Sequence, residues 1–413
     1  MPGHATDMST VAPKGSAGTL VFATLVLCAA FGEVATGLLG PAMPTLGAVF
    51  DKAPATVQLT IAAFAVMFAV GQLFFGPFSD RHGRRIALLF GSILTLVGSL
   101  AAGLADSIWM IILGRAIQGL GAASGYVVSR AIVRDIYGAD GAAKAMAMLF
   151  ALMAASFLSA PLVGGILLDL AGWRAGFVVA SALAVLWLVS TIVIMPETRV
   201  AAPASEAQAI RRIYLGLFRN RGFLGFMITH SIGYAGLVCF VAGAPYLFIE
   251  SMDVKPATYG GLAALAMSGA LIGSTTARYA SPRWGMQRVI LASLMIMVCA
   301  PAILVGMGLL GSLPAWLIVA IEFAYWFGGG LMAPNTAAGV VISHPKAAGG
   351  PAAVLGFVQQ CAGAAVAAMQ GLIFDGSVFP MVGMQARLGL AALVVWHRLG
   401  RQAPRGPTGA AAG

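Results

Sequence analysis

Charged side chains are scarce in this 413-residue sequence: they make up 9% of it, whereas 60% of the residues are hydrophobic and the mean hydropathy is +0.92. Soluble domains carry about a quarter of their residues as charged side chains. Acids are especially few, with 14 Asp and Glu against 24 Lys and Arg. This composition excludes an ordinary soluble domain and predicts a chain that is embedded in lipid.

Cysteine and histidine are also rare, with four and five copies. The cysteines, Cys28, Cys239, Cys299 and Cys361, lie far apart in apolar stretches and form no CxxC pair, so we expect buried hydrophobic residues and neither a disulfide nor a metal site. The scattered histidines, with no nucleophile motif or phosphate-binding loop, argue against an enzyme. No cofactor is expected.

Long apolar runs predict the transmembrane helices, since crossing a hydrocarbon core takes about 20 residues. Eleven runs qualify: 18–42, 57–79, 86–104, 108–129, 145–168, 175–195, 222–248, 257–277, 289–311, 314–341 and 348–373. A twelfth, 377–396, is needed to return the chain to the side of its arginine-rich tail. It carries Arg387 in its middle, where a charge is costly and normally faces protein or water.

The net charge of +10 does not indicate nucleic acid, because the basic residues fall in alternate loops. The basic residues on the predicted outer side are Lys52, Arg174 and Lys255. This asymmetry predicts a multi-pass protein of the bacterial inner membrane with both termini in the cytoplasm. The expected layout is a tail at 1–17, a six-helix half at 18–195, a linker at 196–221, a second half at 222–396 and a tail at 397–413.

A short loop after the second span, GQLFFGPFSDRHGRR, resembles the signature loop between helices 2 and 3 of the major facilitator superfamily. Its candidate gating residues are Gly76, Asp80, Arg81, Gly83, Arg84 and Arg85. We expect Gly76 to permit close helix approach. Arg81 and Gly83 recur as Arg283 and Gly285, a weak internal repeat.

Further strings are similar to the drug:proton antiporter group of that superfamily: GLLGPAMP in span 1, LGRAIQGLGAA in span 4 and APLVGGILLDLAGWRAGF from span 5. RDIYG, PET and APN most resemble its bicyclomycin/chloramphenicol-resistance (Bcr/CflA) branch. The resemblance implies two six-helix halves, with helices 1, 4, 7 and 10 lining a central cavity and a proton gradient as the energy source. Pro161, Gly164 and Gly165 of the span 5 motif are expected to act in conformational change.

Two positions depart from the resembled pattern. Many members carry an acid where this chain has Gly37, and here the acid stands one turn earlier, as Glu33. The span 5 motif usually has glycine before its proline, and this chain has Ala160.

Four charged residues lie well inside the predicted spans: Glu33, Arg115, Glu322 and Arg387. Because a charge inside lipid is costly, such residues are functional candidates. Glu33, Arg115 and Glu322 fall at a similar depth, roughly 12 to 14 Å from the outer ends at 1.5 Å per residue. We hypothesise that Glu33 exchanges a proton as Arg115 or a cationic substrate moves relative to it, because burial favours the protonated carboxyl and a nearby cation disfavours it. The alternative is a structural Glu33–Arg115 ion pair, and Glu322 can equally be a residue that bonds the adjacent helix.

Substrate-cavity candidates follow from helical faces and aromatic side chains that stack on flat or cationic compounds. They are Gln118, Tyr126, His230, Tyr234, Tyr325 and Trp326. A lone histidine such as His230 is more often a packing residue than a ligand.

The predicted function is a proton-coupled multidrug efflux antiporter for small, largely apolar or cationic compounds. We expect a monomer whose partners are its substrate, protons and the bilayer, with no nucleic acid. The alternatives are a proton-coupled importer of a small metabolite and a degenerate paralogue without transport activity.

Overall fold

A computed structural model describes residues 16–199, 218–311, 313–342 and 349–400. These residues form twelve helices that are long and apolar enough to span a membrane. They are α1 (Gly18–Phe50), α2 (Pro54–His82), α3 (Arg84–Gly103), α4 (Ile108–Gly138), α5 (Gly141–Ala171), α6 (Arg174–Val193), α7 (Arg221–Ser251), α8 (Pro256–Trp284), α9 (Met286–Leu310), α10 (Ala315–Ile342), α11 (Gly350–Ile373) and α12 (Phe379–Leu399). No strand occurs in the described ranges, and the prediction of an all-α, twelve-span membrane protein is confirmed.

Several helices extend beyond the predicted spans. After Leu39, α1 continues through a 3-10 turn, Gly40–Ala42, into a last segment, Met43–Phe50. The residues predicted as a loop between spans 4 and 5 are almost entirely helical, and only Gly138 departs from helical dihedral angles, with φ of 60°. A hydropathy pattern predicts only the part of a helix that crosses lipid. A polar extension of the same helix therefore lies outside the predicted span.

Parts of three predicted segments lie outside the described residues. They are the core of the linker, 200–217, and the outer parts of the two tails, 1–15 and 401–413.

Small residues bring the helices into close contact, because lipid provides no hydrophobic drive for helices to associate. A methyl group added to Gly71 of α2 would lie 2.8 Å from the backbone oxygen of Leu120 in α4. In the second half, one added to Gly389 of α12 would lie 2.8 Å from the backbone oxygen of Met297 in α9. Glycines therefore permit close helix contacts in both halves.

Gly83 and Gly285 occupy equivalent turns in the two halves. Each follows a long helix and precedes the next one, and their φ angles are +104° and +83°. Because this conformation is strained for residues with a side chain, glycine is required at both turns. The repeat suggested by the sequence thus coincides with a shared backbone turn.

Two cysteines differ from the expectation of burial. Cys28 and Cys239 are buried, whereas Cys299 is exposed and Cys361 is half-buried. Cys299 lies on a face of α9 that no other described helix covers, where a small apolar side chain is compatible with lipid.

The twelfth span is a regular 21-residue helix despite its central arginine. Arg387 is exposed on the outside of α12, so it does not face the protein interior in the part of the chain described. Side chains on a helix lean toward its N-terminus, which directs Arg387 toward the nearer end of α12.

Replacing Arg387 with Leu should raise the amount of folded protein in the membrane, because a charge near a helix centre costs about 2.5–3.5 kcal/mol on insertion. Arg398→Leu, an exposed arginine at the end of the same helix, is the control and should change little. Both are measured as detergent-extracted monodisperse protein per cell. An unchanged yield for Arg387→Leu would mean that a specific partner accommodates the charge.

Basic residues gather at one end of the helix bundle, which we call the arginine-rich end. It includes the α2–α3 and α8–α9 turns, and its described basic residues are Arg81, Arg84, Arg85, Arg130, Arg134, Lys144, Arg199, Arg219, Arg221, Arg278, Arg283, Arg288 and Arg398. The opposite end has Lys52, Arg174 and Lys255. The helices therefore separate the basic residues as the positive-inside pattern predicts.

Candidate functional site

A cavity of about 250 Å³ lies between the two halves of the helix bundle. Aromatic and aliphatic side chains make most of its wall, including Phe64, Phe68, Phe157 and Trp326. Its polar lining residues are Glu33, Thr36, Gln72, Tyr126, Tyr234, Gln359 and Gln360. Such a pocket, apolar with a few placed polar groups, is typical of small-molecule sites.

Glu33 is the one charged residue among the described residues that line this cavity. It is half-buried on α1, between Gly32 and Thr36 on the cavity side. Arg130, near the end of α4, is a positively charged residue within electrostatic range of its carboxylate. Arg130 stacks on Tyr126 at 3.9 Å from the ring centre, and its Nε donates to the Tyr126 backbone oxygen at 2.9 Å.

Arg115 does not pair with Glu33. The described ion pairs join Arg84 to Asp80 and Asp135, and Arg174 to Asp106. Arg115 is fully buried behind the cavity wall, where it stacks 4.1 Å from the centre of the Phe64 ring. The alternative of a structural Glu33–Arg115 ion pair is therefore wrong for this conformation.

The hydrogen bonds of Arg115 stay inside the first half. Its guanidinium donates to Thr36 Oγ1 at 3.2 Å and to Gln118 Oε1 at 2.5 Å, and the Gln118 amide donates to Ser99 at 2.7 Å. Gln118, expected in the cavity, is fully buried in this network. Because α1 and α2 cover this part of α4, the face that carries Arg115 and Gln118 meets protein, whereas Tyr126 on the same face reaches the cavity.

Glu322, predicted at the depth of Glu33, has different surroundings. It is 1% exposed, does not line the described cavity, and accepts a hydrogen bond from Gln385 of α12 at 3.1 Å. Of the three charged residues predicted at one depth, only Glu33 lines the cavity. This geometry agrees with the alternative that Glu322 is a residue that bonds the adjacent helix.

Three of the six predicted cavity residues line the cavity. Tyr126, Tyr234 and Trp326 line the cavity, whereas Gln118, His230 and Tyr325 do not. Tyr325 is one residue from Trp326, about 100° around α10, and it is buried among α7 and α9 side chains. His230 is one turn from Tyr234 on α7 and bonds Thr336 at 2.7 Å and Gln359 at 2.9 Å.

A model of the Major Facilitator Superfamily matches residues 25–368. The chain belongs to the major facilitator superfamily. Superfamily members are membrane transporters, and this chain is a multi-pass transporter of small molecules rather than an enzyme.

Two curated relatives agree with the resemblance to the Bcr/CflA branch. The chain is 27% identical to Multidrug resistance protein D of Escherichia coli over 373 residues, which cover 90% of this chain and 93% of that protein. It is 31% identical to a Bicyclomycin resistance protein homolog of Haemophilus influenzae over 212 residues, covering 51% and 53%. Among solved structures, a D-xylose-proton symporter matches with a TM-score of 0.74 at 15% identity, covering 94% of this chain and 98% of that one, which shows the shared fold.

The superfamily signature loop forms a charged cluster at the arginine-rich end. Arg84 pairs with Asp80 and Asp135 and also donates to Ser79, while Arg85 donates to the Ile192 backbone oxygen at 2.5 Å. Arg81 is exposed. The cluster joins α2, α3, α4 and the end of α6.

Glu197 of the PET string completes this cluster. Its carboxylate accepts from the backbone N–H groups of Arg84 at 2.9 Å and Arg85 at 3.2 Å, at the start of α3. A carboxylate is stabilised there by the unpaired amides and the positive end of the helix dipole. Glu197 also fills the space in front of Gly83, so any side chain at Gly83 would displace it.

Gly76 does not have its expected role. A methyl group added there would meet no atom within 4 Å, because that side of α2 is not covered by another described helix. Close approach by α2 occurs at Gly71 instead.

The span 5 motif lies at contacts between helices, as expected for its small residues. Gly164 packs on the Leu38 backbone of α1, and Gly165 packs on the Pro256 backbone at the start of α8. Gly260 of α8 in turn packs against the backbone oxygen of Pro161. Pro161 and Gly165 thus join the two halves at the end opposite to the arginine-rich one.

The two departures from the family pattern touch one another. A methyl group added to Gly37 would come within 2.5 Å of the Ala160 methyl group. An acid at position 37 therefore has no room beside Ala160. The two small residues complement each other, and the carboxylate stands one turn away, at Glu33.

Proposed function

We propose that this chain is a proton-coupled multidrug efflux antiporter that exports small, largely apolar or cationic compounds by alternating access. The observation that carries the proposal is the position of Glu33, which among the described residues is the one charged side chain in an otherwise aromatic and amide-lined cavity between the halves. The relatives named for multidrug and bicyclomycin resistance support the substrate class.

The cavity supplies two kinds of attraction for such compounds. Phe64, Phe68, Phe157 and Trp326 offer apolar area and ring faces on which flat or cationic groups stack. The Glu33 carboxyl can bind a proton or, when it is ionised, pair with a cationic substrate. It cannot do both at once. Binding a cation then favours release of the proton, which couples the two movements in opposite directions.

Contacts between the halves support a state that is closed at the end opposite to the arginine-rich one. There Asp169 of α5 accepts from the Ala257 backbone amide at 3.1 Å, and Gln58 of α2 donates to the Ala242 backbone oxygen at 2.6 Å. Rocking of the halves about the cavity would break these contacts and open that end. We assign the conformational role to the α5–α8 contact and to the charged cluster around Arg84.

The positive-inside rule assigns the arginine-rich end to the cytoplasm. We therefore place the protein in the bacterial inner membrane with a cytoplasmic tail at 1–17, halves at 18–195 and 222–396, a cytoplasmic linker at 196–221 and a cytoplasmic tail at 397–413. A monomer suffices, because the cavity is formed by one chain. The energy source is the proton gradient.

Transport in inside-out membrane vesicles tests this function. With an acid interior, vesicles that contain the protein should take up a fluorescent aromatic cation, and a protonophore should stop the uptake. Vesicles with the same lipids but without the protein provide the control. Uptake that ignores the protonophore, or uptake in the opposite direction, would contradict proton-coupled export.

A further inference from the structure

The two walls of the cavity differ in their hydrogen-bonding character. The wall from the first half presents the Glu33 carboxylate, which accepts hydrogen bonds or pairs with a cation, together with the Gln72 amide and the hydroxyl groups of Thr36 and Tyr126. The wall from the second half carries amide and indole groups. We call Gln359, Gln360 and Trp326 the donor wall.

Gln360 is held with its oxygen turned away from a substrate. The Tyr234 hydroxyl donates to Gln360 Oε1 at 2.7 Å. This bond leaves the amide nitrogen, with two N–H donors, without a partner in the described part of the chain. Since Gln360 lines the cavity, the N–H group is the one available to a ligand.

Gln359 is oriented in the same way by His230. The His230 Nε2 atom lies 2.9 Å from Gln359 Oε1, and because a carbonyl oxygen only accepts, the ring carries its proton on Nε2. Nδ1 lies 2.7 Å from the Thr336 hydroxyl, whose single proton is shared between this contact and the Met332 backbone oxygen at 2.9 Å. His230 therefore acts from behind the wall as a positioning residue for the amide.

Trp326 adds a third donor. It lines the cavity, is 4% exposed, and its indole N–H has no hydrogen-bond partner among the described residues. A buried donor without an acceptor is unfavourable, and because the nitrogen atom itself is shielded within the wall, an acceptor reaches it only when the neighbouring side chains move aside.

We propose that the donor wall selects compounds that carry a hydrogen-bond acceptor oxygen, such as a ketone, amide or nitro group, on an aromatic body. Glu33 then takes the cationic end of the same compound on the other wall. The proposal that such compounds are transported rests on the efflux function proposed above. The binding preference does not, since it concerns the cavity alone.

A matched pair of small cations isolates the acceptor oxygen: (4-acetylbenzyl)trimethylammonium, which has a ketone, and (4-ethylbenzyl)trimethylammonium, which has a methylene in its place. Binding of each to the purified full chain is measured by calorimetry. One net hydrogen bond should make the ketone bind about fivefold more tightly. Gln360→Met and Gln359→Met should each reduce that preference, and the double variant should remove it.

Two controls keep the test specific. Gln72→Met removes an amide from the other wall and should keep the preference between the two probes. Gln360→Glu keeps an acceptor for Tyr234 but replaces the donor with oxygen, so it should disfavour the ketone even where Gln360→Met folds poorly. His230→Ala should reduce the preference less than Gln359→Met, because the amide remains but is no longer oriented.

Equal affinity of the wild-type chain for the two probes, a preference that survives the double variant, or binding of neither probe would overturn the donor wall. Proton release recorded in the same titration separates this outcome from failure of the efflux proposal. Protons released without a ketone preference would refute the donor wall alone. A ketone preference without proton release would refute the coupling alone.

Discussion

Glu33→Gln should abolish uphill transport of a cationic compound. If one proton exchanges for one cation, an imposed difference of one pH unit supports about tenfold accumulation, since one pH unit corresponds to a factor of ten in proton activity. Glutamine is close in size to a protonated glutamate but cannot release a proton. In reconstituted vesicles we therefore expect accumulation to fall from about tenfold to none, while exchange of a neutral labelled compound for its unlabelled form continues.

Glu322→Gln is the matched control, because it makes the same change at the other acid inside a predicted span. Glu322 bonds Gln385 and does not line the cavity, so this variant should keep accumulation even where its folded yield declines. If the two substitutions had equal effects on accumulation per folded molecule, cavity position would not be the property that matters.

Gly260→Val should trap the protein with the end opposite to the arginine-rich one open. The valine side chain would meet the backbone oxygen of Pro161, and backbone cannot move aside as a flexible side chain does. Overpacking of about 1–3 kcal/mol shifts a two-state equilibrium by about 5- to 150-fold. The contact lies at the closed end, so the valine side chain should destabilise the closed state relative to the open one. Transport should slow by a similar factor.

Gly261→Val provides a control on the adjacent residue, where an added methyl group meets no atom within 4 Å. A cysteine introduced at Val241, a cavity residue, in a background without the native cysteines reports the conformation. An impermeant maleimide added from the outside should label it faster in Gly260→Val than in Gly261→Val. Equal labelling rates would show that the α5–α8 contact does not control access.

Membrane topology was predictable because lipid makes simple demands. Apolar length predicted eleven of the twelve helices, and α12 was inferred from the side on which the arginine-rich tail has to lie. The helix ends were less predictable, as the helical segment up to Gly138 shows. Beyond the bilayer, hydrogen bonding and local propensity rather than hydropathy decide where a helix stops.

The cavity was predictable only in part, because periodicity specifies a helix face and not what covers it. Arg115 and Tyr126 are eleven residues apart and share a face, yet Phe64 and Thr36 separate Arg115 from the cavity. Tyr325 and Trp326 are adjacent, yet Trp326 lines the cavity and Tyr325 does not. Which side of a helix meets a cavity depends on the packing of three or four helices at once.

Some functional candidates were missed although the sequence contains a signal for them. Gln359 and Gln360 are two adjacent amides inside an apolar span, a costly pair unless something binds it. Arg130 belongs to the arginine-rich end, but it also stacks on Tyr126, a residue of the cavity wall. The pairing of Gly37 with Ala160 involves residues 123 positions apart on different helices, and only the packed structure brings them together.

Proton release on substrate binding tests the central claim most directly. The purified wild-type chain, in weakly buffered solution, should release protons when an aromatic cation is added, and Glu322→Gln should do the same. Glu33→Gln should bind the cation more weakly and release no protons at saturation. Undiminished release from Glu33→Gln would contradict the account and remove Glu33 from the coupling mechanism.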